Sequence, residues 1–304
     1  MLGIVEDKVV IVTGAGRGIG KGIATLMAKS GAKVIVNDYG TSLGGEANDA
    51  SVAQQVVDEI TKSGGTAVAD IGNVADVKDA EALIATAIKT FGRVDCVVNN
   101  AGIVRDRFFH QMTVEEWNTV ITVNLTGAFY VSRAAAPYFR KQEGGSYIHL
   151  TSTAGLIGSN AQANYAASKM GMVGLSKSIA LDMRRYKVRS NCVAPFAFSR
   201  MVASIDENTP NYELRVGRMK VATPELIAPL VVFLASDDAL DVSGQIFGVR
   251  RNEIYLFSQP RPIRSVHRSE GWTPETVKAQ AIPALRPCFS PLDMTSDVIT
   301  WDPI

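Results

Sequence analysis

The sequence predicts an α/β fold in which helices cover both faces of a doubly wound, mostly parallel β-sheet. Runs of mostly apolar residues at 9–12, 33–36 and 94–98, rich in valine and isoleucine, are typical of parallel strands buried on both faces. Segments with helical periodicity separate these runs, and this alternation favours a single parallel sheet. Ligands of such sheets bind at the carboxyl ends of the strands, so the residues that follow each predicted strand are the candidates for a binding site.

The composition argues against several classes of protein. The chain has 304 residues, with 31 lysines and arginines against 30 aspartates and glutamates, and this balance predicts neither a nucleic-acid partner nor a disordered acidic tail. Three cysteines and three histidines are scattered along the chain, which favours reduced thiols and predicts no metal site. The sequence suggests neither a signal peptide nor a membrane span, and we therefore expect a cytoplasmic protein.

A glycine-rich turn follows the first predicted strand and opens the first predicted helix. The residues that we assign to a cofactor site in this turn are Gly14, Arg17, Gly18, Ile19 and Gly20. Glycines let the backbone turn tightly and approach a pyrophosphate, and the amino terminus of the helix offers unpaired N–H groups. The turn predicts a Rossmann-like dinucleotide site, although a purely structural bend could have the same composition.

The second predicted strand ends at Asp38, eighteen residues after the last glycine of the turn. A carboxylate at this position can accept hydrogen bonds from the adenosine ribose hydroxyls, and it repels a 2′-phosphate. Asp38 therefore predicts NAD rather than NADP as the cofactor. Two alternatives stay open: Asp38 can be a solvated acid at a strand end, and Arg17 can contact a phosphate.

Two later segments also follow predicted strands and are candidates for the cofactor site. The first contains Asn73 and Val74; the Asn73 amide can meet an adenine edge, or it can take part in capping the next helix with Asp76, and both interpretations stay open. The second follows the fourth strand and consists of Asn100, Ala101 and Gly102. Both segments are expected at the edge of the sheet where ligands bind.

Tyr165 and Lys169 lie four residues apart on a predicted helix. At this spacing the two side chains share one helix face. An ammonium group beside the phenol should lower the pKa of Tyr165 from about 10 toward neutrality, which would make it a proton donor and acceptor for an alcohol and its ketone. The spacing is frequent by chance, so its weight depends on the other motifs.

Five motifs occur in the order and spacing found in the short-chain dehydrogenase/reductase superfamily, which the chain resembles over residues 5–248. They are the glycine turn, Asp38, the Asn-Asn-Ala-Gly stretch, Tyr165 and Lys169. The resemblance implies hydride transfer between a secondary alcohol and a nicotinamide cofactor. It also implies that both Tyr165 and Lys169 contact that cofactor, with the lysine on the nicotinamide ribose.

The same resemblance implies two further catalytic residues and one more cofactor contact. Asn124 would hold a water linked to the lysine; it follows the predicted capping box Thr113–Glu116, and a lone helical asparagine would otherwise indicate polar surface. Ser152, thirteen residues before Tyr165, would bind the substrate oxygen and stabilise charge there. Pro195 would lie beside the nicotinamide.

Within the superfamily, several segments resemble the (3R)-hydroxyacyl-CoA dehydrogenases, a group that includes a domain of peroxisomal multifunctional β-oxidation enzymes and stand-alone bacterial relatives. These segments are 37–38, 73–74, 100–107 and 194–201. The resemblance implies oxidation of a (3R)-hydroxyacyl-CoA to a 3-oxoacyl-CoA, steroid side-chain thioesters included. The alternatives are a dehydrogenase of hydroxysteroids or other bulky secondary alcohols, an NADPH-linked 3-oxoacyl reductase, which Asp38 disfavours, and a non-catalytic NAD-binding scaffold.

Three residues are candidate substrate contacts. Arg105 can meet the phosphates of coenzyme A, and a solvated surface position is equally open to it. Phe196 and Phe198 follow Pro195, where the family usually has a glycine after the proline, and core packing is as reasonable for them as substrate contact.

The chain divides into a predicted NAD-binding domain, residues 1–249, and a C-terminal extension, residues 250–304. The extension contains seven of the twelve prolines, but aromatic residues such as Phe257 and Trp272 make it too apolar for a flexible tail. We expect it to pack on the domain or on a neighbouring subunit. The resemblance implies a homodimer or homotetramer.

Overall fold

The computed structural model describes residues 3–41, 49, 51–197 and 222–301. Its strands are β1 (Val9–Thr13), β2 (Lys33–Asn37), β3 (Thr66–Asp70), β4 (Cys96–Asn99), β5 (Gly145–Leu150), β6 (Val188–Phe196), β7 (Ile246–Arg250) and β8 (Glu253–Leu256). They form one sheet in the spatial order β3-β2-β1-β4-β5-β6-β7-β8. Every neighbouring pair is parallel except β7 and β8. The predicted doubly wound α/β fold is confirmed, and the strand order reverses between β1 and β4, where such sheets bind ligands.

Helices connect the strands. They are α1 (Gly18–Lys29), α2 (Ser51–Lys62), α3 (Val77–Phe91), α4 (Val114–Ile121), α5 (Gly127–Gln142), α6 (Thr153–Leu156), α7 (Ala163–Asp182), α8 (Ala228–Ala235), α9 (Pro274–Thr276), α10 (Ile282–Leu285) and α11 (Thr295–Val298). A π-helical turn, Thr122–Thr126, joins α4 to α5. The predicted capping box is confirmed at the start of α4, where Thr113 and Glu116 bond reciprocally.

The two faces of the sheet carry separate hydrophobic cores. On β1, Val10 and Val12 belong to the core under α1 and α8, whereas Val9 and Ile11 belong to the core under α3 and α5. Successive side chains of a strand point to opposite faces, so a strand covered on both sides must be apolar at every position. This requirement explains the continuous apolar run from which the strand was predicted.

The extension contributes to the same body. It supplies β8, which pairs antiparallel with β7 and was not predicted from the sequence. Phe257 packs in the small cluster that also includes Leu156 of α6. Further along, the Thr295 amide donates to the Gly158 carbonyl at 3.2 Å. The extension therefore reaches the loop that joins α6 to α7.

Among the described residues, no helix combines the length and the apolarity that crossing a membrane requires. In the same part of the chain, no group of three or more His, Cys, Asp or Glu side chains is placed to hold a metal ion.

Candidate active site

The four catalytic residues predicted from the sequence lie together beyond the carboxyl ends of β4 and β5. They are Asn124, Ser152, Tyr165 and Lys169. Asn124 is fully buried in the π-helical turn; its Oδ1 accepts from the Ile103 amide at 2.8 Å, and its Nδ2 donates to the Ile103 carbonyl at 3.0 Å. Its Nδ2 also donates to the Ser168 hydroxyl at 3.3 Å, which joins the turn to α7 one residue before Lys169. A π-turn widens the helix locally, and such turns are frequent at functional sites.

Lys169 is buried and its amine is held from two sides. Its Nζ donates to the Leu150 carbonyl at 2.7 Å and lies 5.6 Å from the centroid of the Tyr165 ring. The Thr151 hydroxyl donates to the Lys169 carbonyl at 2.6 Å, which ties α7 to the end of β5. Burial lowers the pKa of Lys169 to about 8, so the amine is close to titration near neutral pH.

The predicted lowering of the Tyr165 pKa is wrong. Desolvation raises the pKa of Tyr165 to about 12, a hydrogen bond with the Ser152 side chain lowers it, and the charge of Asp106 raises it further. The Lys169 amine donates to a backbone carbonyl, and the removal of the phenol from water outweighs its influence. The neutral phenol is consequently the prevailing form at physiological pH.

The glycine turn has the shape that a pyrophosphate requires. Gly14 and Gly18 adopt positive φ angles of 63° and 52°. A Cβ on Gly14 would lie 2.8 Å from the Ala101 Cα, but one on Gly18 would meet nothing within 4 Å, so the turn is packed on one side and open on the other. The N-cap of α1 is Arg17, and its side chain makes no capping hydrogen bond. The amino terminus of this helix therefore fits an anionic ligand.

Asn100 and Ala101 hold this turn against the end of β4. The Asn100 side chain donates to the carbonyls of Thr13 and Gly14, each at 2.9 Å, and the Thr13 hydroxyl accepts from the amides of Asn100 and Ala101, each at 3.1 Å. A Cβ on Gly20 would lie 2.5 Å from the Asn100 amide nitrogen. Thr13 was not singled out from the sequence, and only its place at the end of β1 could have indicated it.

Asp38 lies directly beside the glycine turn. Its two carboxylate oxygens accept from the amides of Gly16 at 2.8 Å and Gly40 at 2.7 Å, which leaves lone pairs for further donors. Arg17 bonds the Thr41 carbonyl at 3.4 Å and lies 3.8 Å from the Asp49 carboxylate. The Arg17 guanidinium thus interacts with residues that follow β2.

The segment after β3 forms a turn. The Asn73 side-chain oxygen accepts from the Ala75 amide at 3.0 Å, while Asp76 caps α3 and Asp79 accepts from the Asn73 amide. Val74 is buried in the core that covers α3 and α5. The oxygen of Asn73 therefore serves local structure, and an adenine contact remains a prediction.

Gly102 keeps space beside the catalytic residues. A Cβ at this position would lie 3.3 Å from the Asn124 Oδ1 and 3.6 Å from the Lys169 Nζ, and Gly102 itself is exposed. Gly102, three residues after the end of β4, is therefore the point at which exposed backbone passes close to the buried lysine.

Two of the three candidate substrate residues, Arg105 and Phe196, lie in the described part of the chain. Pro195 and Phe196 are the last residues of β6, at the same end of the sheet, and both are partly exposed. The Phe196 ring lies 6.2 Å from that of Tyr255 in the extension. Arg105 lies in the loop after β4 and is partly exposed. Phe198 lies outside the described residues.

Comparison with known proteins agrees with this geometry. Residues 8–209 match the family model described as short chain dehydrogenase. The chain belongs to the short-chain dehydrogenase family. A crystal structure of a short chain dehydrogenase from Mycobacterium avium superposes with a TM-score of 0.83 at 41% identity, covering 95% of this chain and 98% of that chain. Members of the family bind NAD or NADP.

Two relatives differ in how much of their length the chain spans. The peroxisomal hydratase-dehydrogenase-epimerase of Saccharomyces cerevisiae is 43% identical over 91% of this chain, which spans only 29% of that protein. The hydroxyacyl-CoA dehydrogenase ChsB1 of Mycobacterium tuberculosis is 39% identical over 90% of this chain, which spans 87% of that protein.

A buried polar pair lies behind the active site of this short-chain dehydrogenase. His149 on β5 is fully buried, and its Nδ1 lies 3.2 Å from the Asn99 Nδ2 on β4, which also donates to the Ser132 hydroxyl. Burial is the main cause that lowers the pKa of His149 to about 3, and the charge of Lys169 adds to it. His149 is therefore neutral in the folded protein near neutral pH.

The protein is expected to lose stability in acid because of His149. The unfolded state takes up the proton near pH 6.5, whereas the folded state does so only near pH 3, so stability falls by about 1.4 kcal/mol for each pH unit between these values. Urea unfolding at pH 7 and pH 5 measures this slope. His149→Gln should reduce it by the equivalent of one proton, and the matched variant His267→Gln, at an exposed position, should leave it unchanged. Equal slopes in all three proteins would contradict the assignment.

Proposed function

We propose that the chain oxidises a (3R)-hydroxyacyl-CoA to the 3-oxoacyl-CoA with NAD⁺ as the hydride acceptor. The observation that carries the chemistry is the placement of the Tyr165 ring 5.6 Å from the buried Lys169 amine, with Ser152 close enough to influence the phenol, at the edge of the sheet that also holds the glycine turn. The thioester class is supported by relatives whose names contain hydroxyacyl-CoA dehydrogenase or hydratase-dehydrogenase-epimerase. The activity of the longer multifunctional relatives as a whole is not implied.

Different residues of the chain carry out different parts of the proposed reaction. Gly14, Gly18 and Gly20 would hold the pyrophosphate of the cofactor, which accepts the hydride when bound. Ser152 donates a hydrogen bond to the substrate oxygen, and the phenolate form of Tyr165 accepts the hydroxyl proton as the C3 hydrogen leaves with its electron pair for the cofactor.

Asn124 and Lys169 support the function of the Tyr165 phenol. Asn124 fixes the turn next to α7 through Ile103 and Ser168, and Lys169 provides a buried donor whose pKa of about 8 allows it to pass a proton. We propose Pro195, Asn73 and Val74 as further contacts of the cofactor, supported by their place after β6 and β3.

The preference for NAD rather than NADP is part of the proposal. Asp38 lies within hydrogen-bond distance of the Gly16 amide in the turn, where the adenosine ribose of a bound dinucleotide is expected. Its negative charge would repel a 2′-phosphate, and Arg17, the nearest cation in the turn, is engaged by the Thr41 carbonyl.

The oxidation rate is expected to rise with pH. Oxidation needs the phenolate of Tyr165 as a base, and with a pKa of about 12 the phenolate fraction grows about tenfold for each pH unit below that value. Reduction of the 3-oxoacyl-CoA uses the neutral phenol and should not gain from alkaline pH. The initial rates in both directions between pH 6 and 10 measure this contrast. Parallel profiles would contradict the role of Tyr165.

We further propose that residues 1–249 form the dehydrogenase domain, that residues 250–304 form an extension packed on it, and that the protein is a homodimer or homotetramer. The oligomer proposal is supported by an apolar groove of about 250 Å³ between α5 and α7. The residues that line it include Phe129, Leu175, Ile179 and Met183. Light scattering of the purified protein tests the oligomeric state.

A panel of substrates tests the proposed function. NADH formation is followed with (3R)- and (3S)-hydroxyacyl-CoAs of short and long chain, with a steroid-bearing thioester, and with free hydroxysteroids. We expect turnover of the (3R) thioesters with NAD⁺. Turnover of free hydroxysteroids alone would keep the mechanism and overturn the coenzyme A assignment, and no turnover of any alcohol would overturn the enzymatic proposal.

A further inference from the structure

A short loop after β4, residues 105–107, is fastened to the start of the catalytic helix α7. The Gln162 side-chain amide donates to both oxygens of the Asp106 carboxylate, at 3.1 and 3.0 Å. The Arg107 amide donates to the Ala161 carbonyl at 2.7 Å, and the Asn164 amide group donates to the Arg105 carbonyl at 3.0 Å. Each of the three loop residues thus forms a hydrogen bond with one of the four residues that precede Tyr165.

The fastening brings a carboxylate to the start of the helix that carries the phenol. Gln162 is the N-cap of α7 and stands three residues before Tyr165, which lies in the first turn of the helix. Asp106 is partly desolvated, which raises the pKa of its carboxyl group. Its charge is felt by Tyr165, whose pKa it raises. The carboxylate therefore acts on the phenol in the direction opposite to an ammonium group.

The other charged groups around the start of α7 are accounted for. Lys169 lies below the Tyr165 ring and its amine donates to the Leu150 carbonyl. The Arg107 guanidinium pairs with the Glu116 carboxylate of α4 at 2.8 Å, so these two charges largely cancel. Arg105, on the same loop, has an interaction of its own. Asp106 is the anion whose charge reaches Tyr165.

We propose that Asp106 is a positioning residue for Tyr165, which fixes the first turn of α7 through Gln162 and places a negative charge beside the phenol. The proposal rests on the proposed function of Tyr165 as the proton donor and acceptor. Its chemical consequence is that the charge of Asp106 adds to the desolvation that favours the protonated phenol, so that the pH at which oxidation becomes fast depends in part on Asp106. The loop that contains Arg105 then holds the start of the catalytic helix in position.

Four variants of the full chain separate the charge from the hydrogen bond. Asp106→Asn keeps an oxygen that can accept from Gln162 and removes the charge, Asp106→Ala removes both, and Asp106→Glu keeps the charge. Asp182→Asn, at the last residue of the same helix, is the matched control. For each protein the pH profile of kcat/KM for oxidation is measured, together with thermal unfolding.

We expect the rising limb of the profile to move to lower pH in Asp106→Asn, by about half a pH unit, because loss of a nearby negative charge favours the phenolate. Asp106→Ala should show the same shift with a roughly tenfold lower kcat, since the first turn of α7 is no longer held. Asp106→Glu should return the limb toward wild type, and Asp182→Asn should leave it in place. A limb that does not move in Asp106→Asn would overturn the proposal.

A measurement without turnover separates this proposal from the proposed function. Ultraviolet difference titration reports ionisation of the phenol, with Tyr165→Phe as the background. If no alcohol is oxidised but the Tyr165 titration moves to lower pH in Asp106→Asn, the proposed function fails and the role of Asp106 stands. If the substrate is oxidised but neither the titration nor the pH profile moves, the role of Asp106 fails and the proposed function stands.

Discussion

Replacement of Tyr165 by phenylalanine should lower kcat for oxidation by about 10³-fold, which lies within the range for the loss of a general acid–base group. The reason is specific: the substitution removes the hydroxyl that is proposed to move the proton, whereas the ring stays packed 5.6 Å from the Lys169 amine. Steady-state rates at pH 8 measure the loss, and thermal unfolding should show a midpoint close to that of wild type.

The matched control is Tyr138→Phe, on the partly exposed face of α5. It removes the same oxygen and should leave kcat unchanged. A Tyr165→Phe protein that forms NADH at the wild-type rate would show that another group moves the proton. A loss of activity shared by both variants would point to general damage to the fold.

Removal of the Asp38 carboxylate should produce the second large effect. In Asp38→Ala, kcat/KM for NAD⁺ should fall by roughly 10- to 100-fold, because a hydrogen bond to a charged group contributes about 1.5–3 kcal/mol. Use of NADP⁺ should improve, since the repulsion of the 2′-phosphate is gone. Kinetics with both cofactors at a fixed substrate concentration measure the ratio.

Asp58→Ala provides the control for charge alone. Asp58 is an exposed acid on α2, so its removal changes the net charge equally without touching the carboxylate beside the glycine turn or the ion pair of Arg17. Its cofactor preference should match that of wild type. If Asp38→Ala discriminates between the two cofactors as strongly as wild type does, the assignment of NAD to Asp38 is wrong.

The fold was predictable because both faces of the sheet are covered. Strands such as β1 and β2 are then apolar along their central residues, 9–12 and 34–36, and the glycine turn that follows β1 appears directly in the sequence. The strand β8 was missed because it follows a turn of two residues and because its partly buried positions, such as Tyr255, alternate with exposed apolar residues such as Ile254. Partial burial leaves little pattern to detect.

The site was predictable in its residues but not in its electrostatics. Ser152, Tyr165 and Lys169 are close together in the structure, as the sequence spacing predicted. Tyr165 and Lys169 share a helix, which keeps them together. The direction of the Tyr165 pKa could not be derived from that spacing, since it depends on how far the phenol is removed from water and on Asp106, a residue distant in sequence. Thr13 was missed for the same reason, because its partners are on another strand.

The central claim is that hydride passes directly from C3 of a (3R)-hydroxyacyl-CoA to NAD⁺. It is tested most directly with a (3R)-hydroxyacyl-CoA that carries deuterium at C3, followed by mass spectrometry of the reduced cofactor. The proposal predicts that the reduced cofactor contains the deuterium in the wild-type reaction and that Tyr165→Phe forms almost none of it. Reduced cofactor without deuterium, or no reaction of this thioester in a protein that oxidises free hydroxysteroids, would contradict the claim.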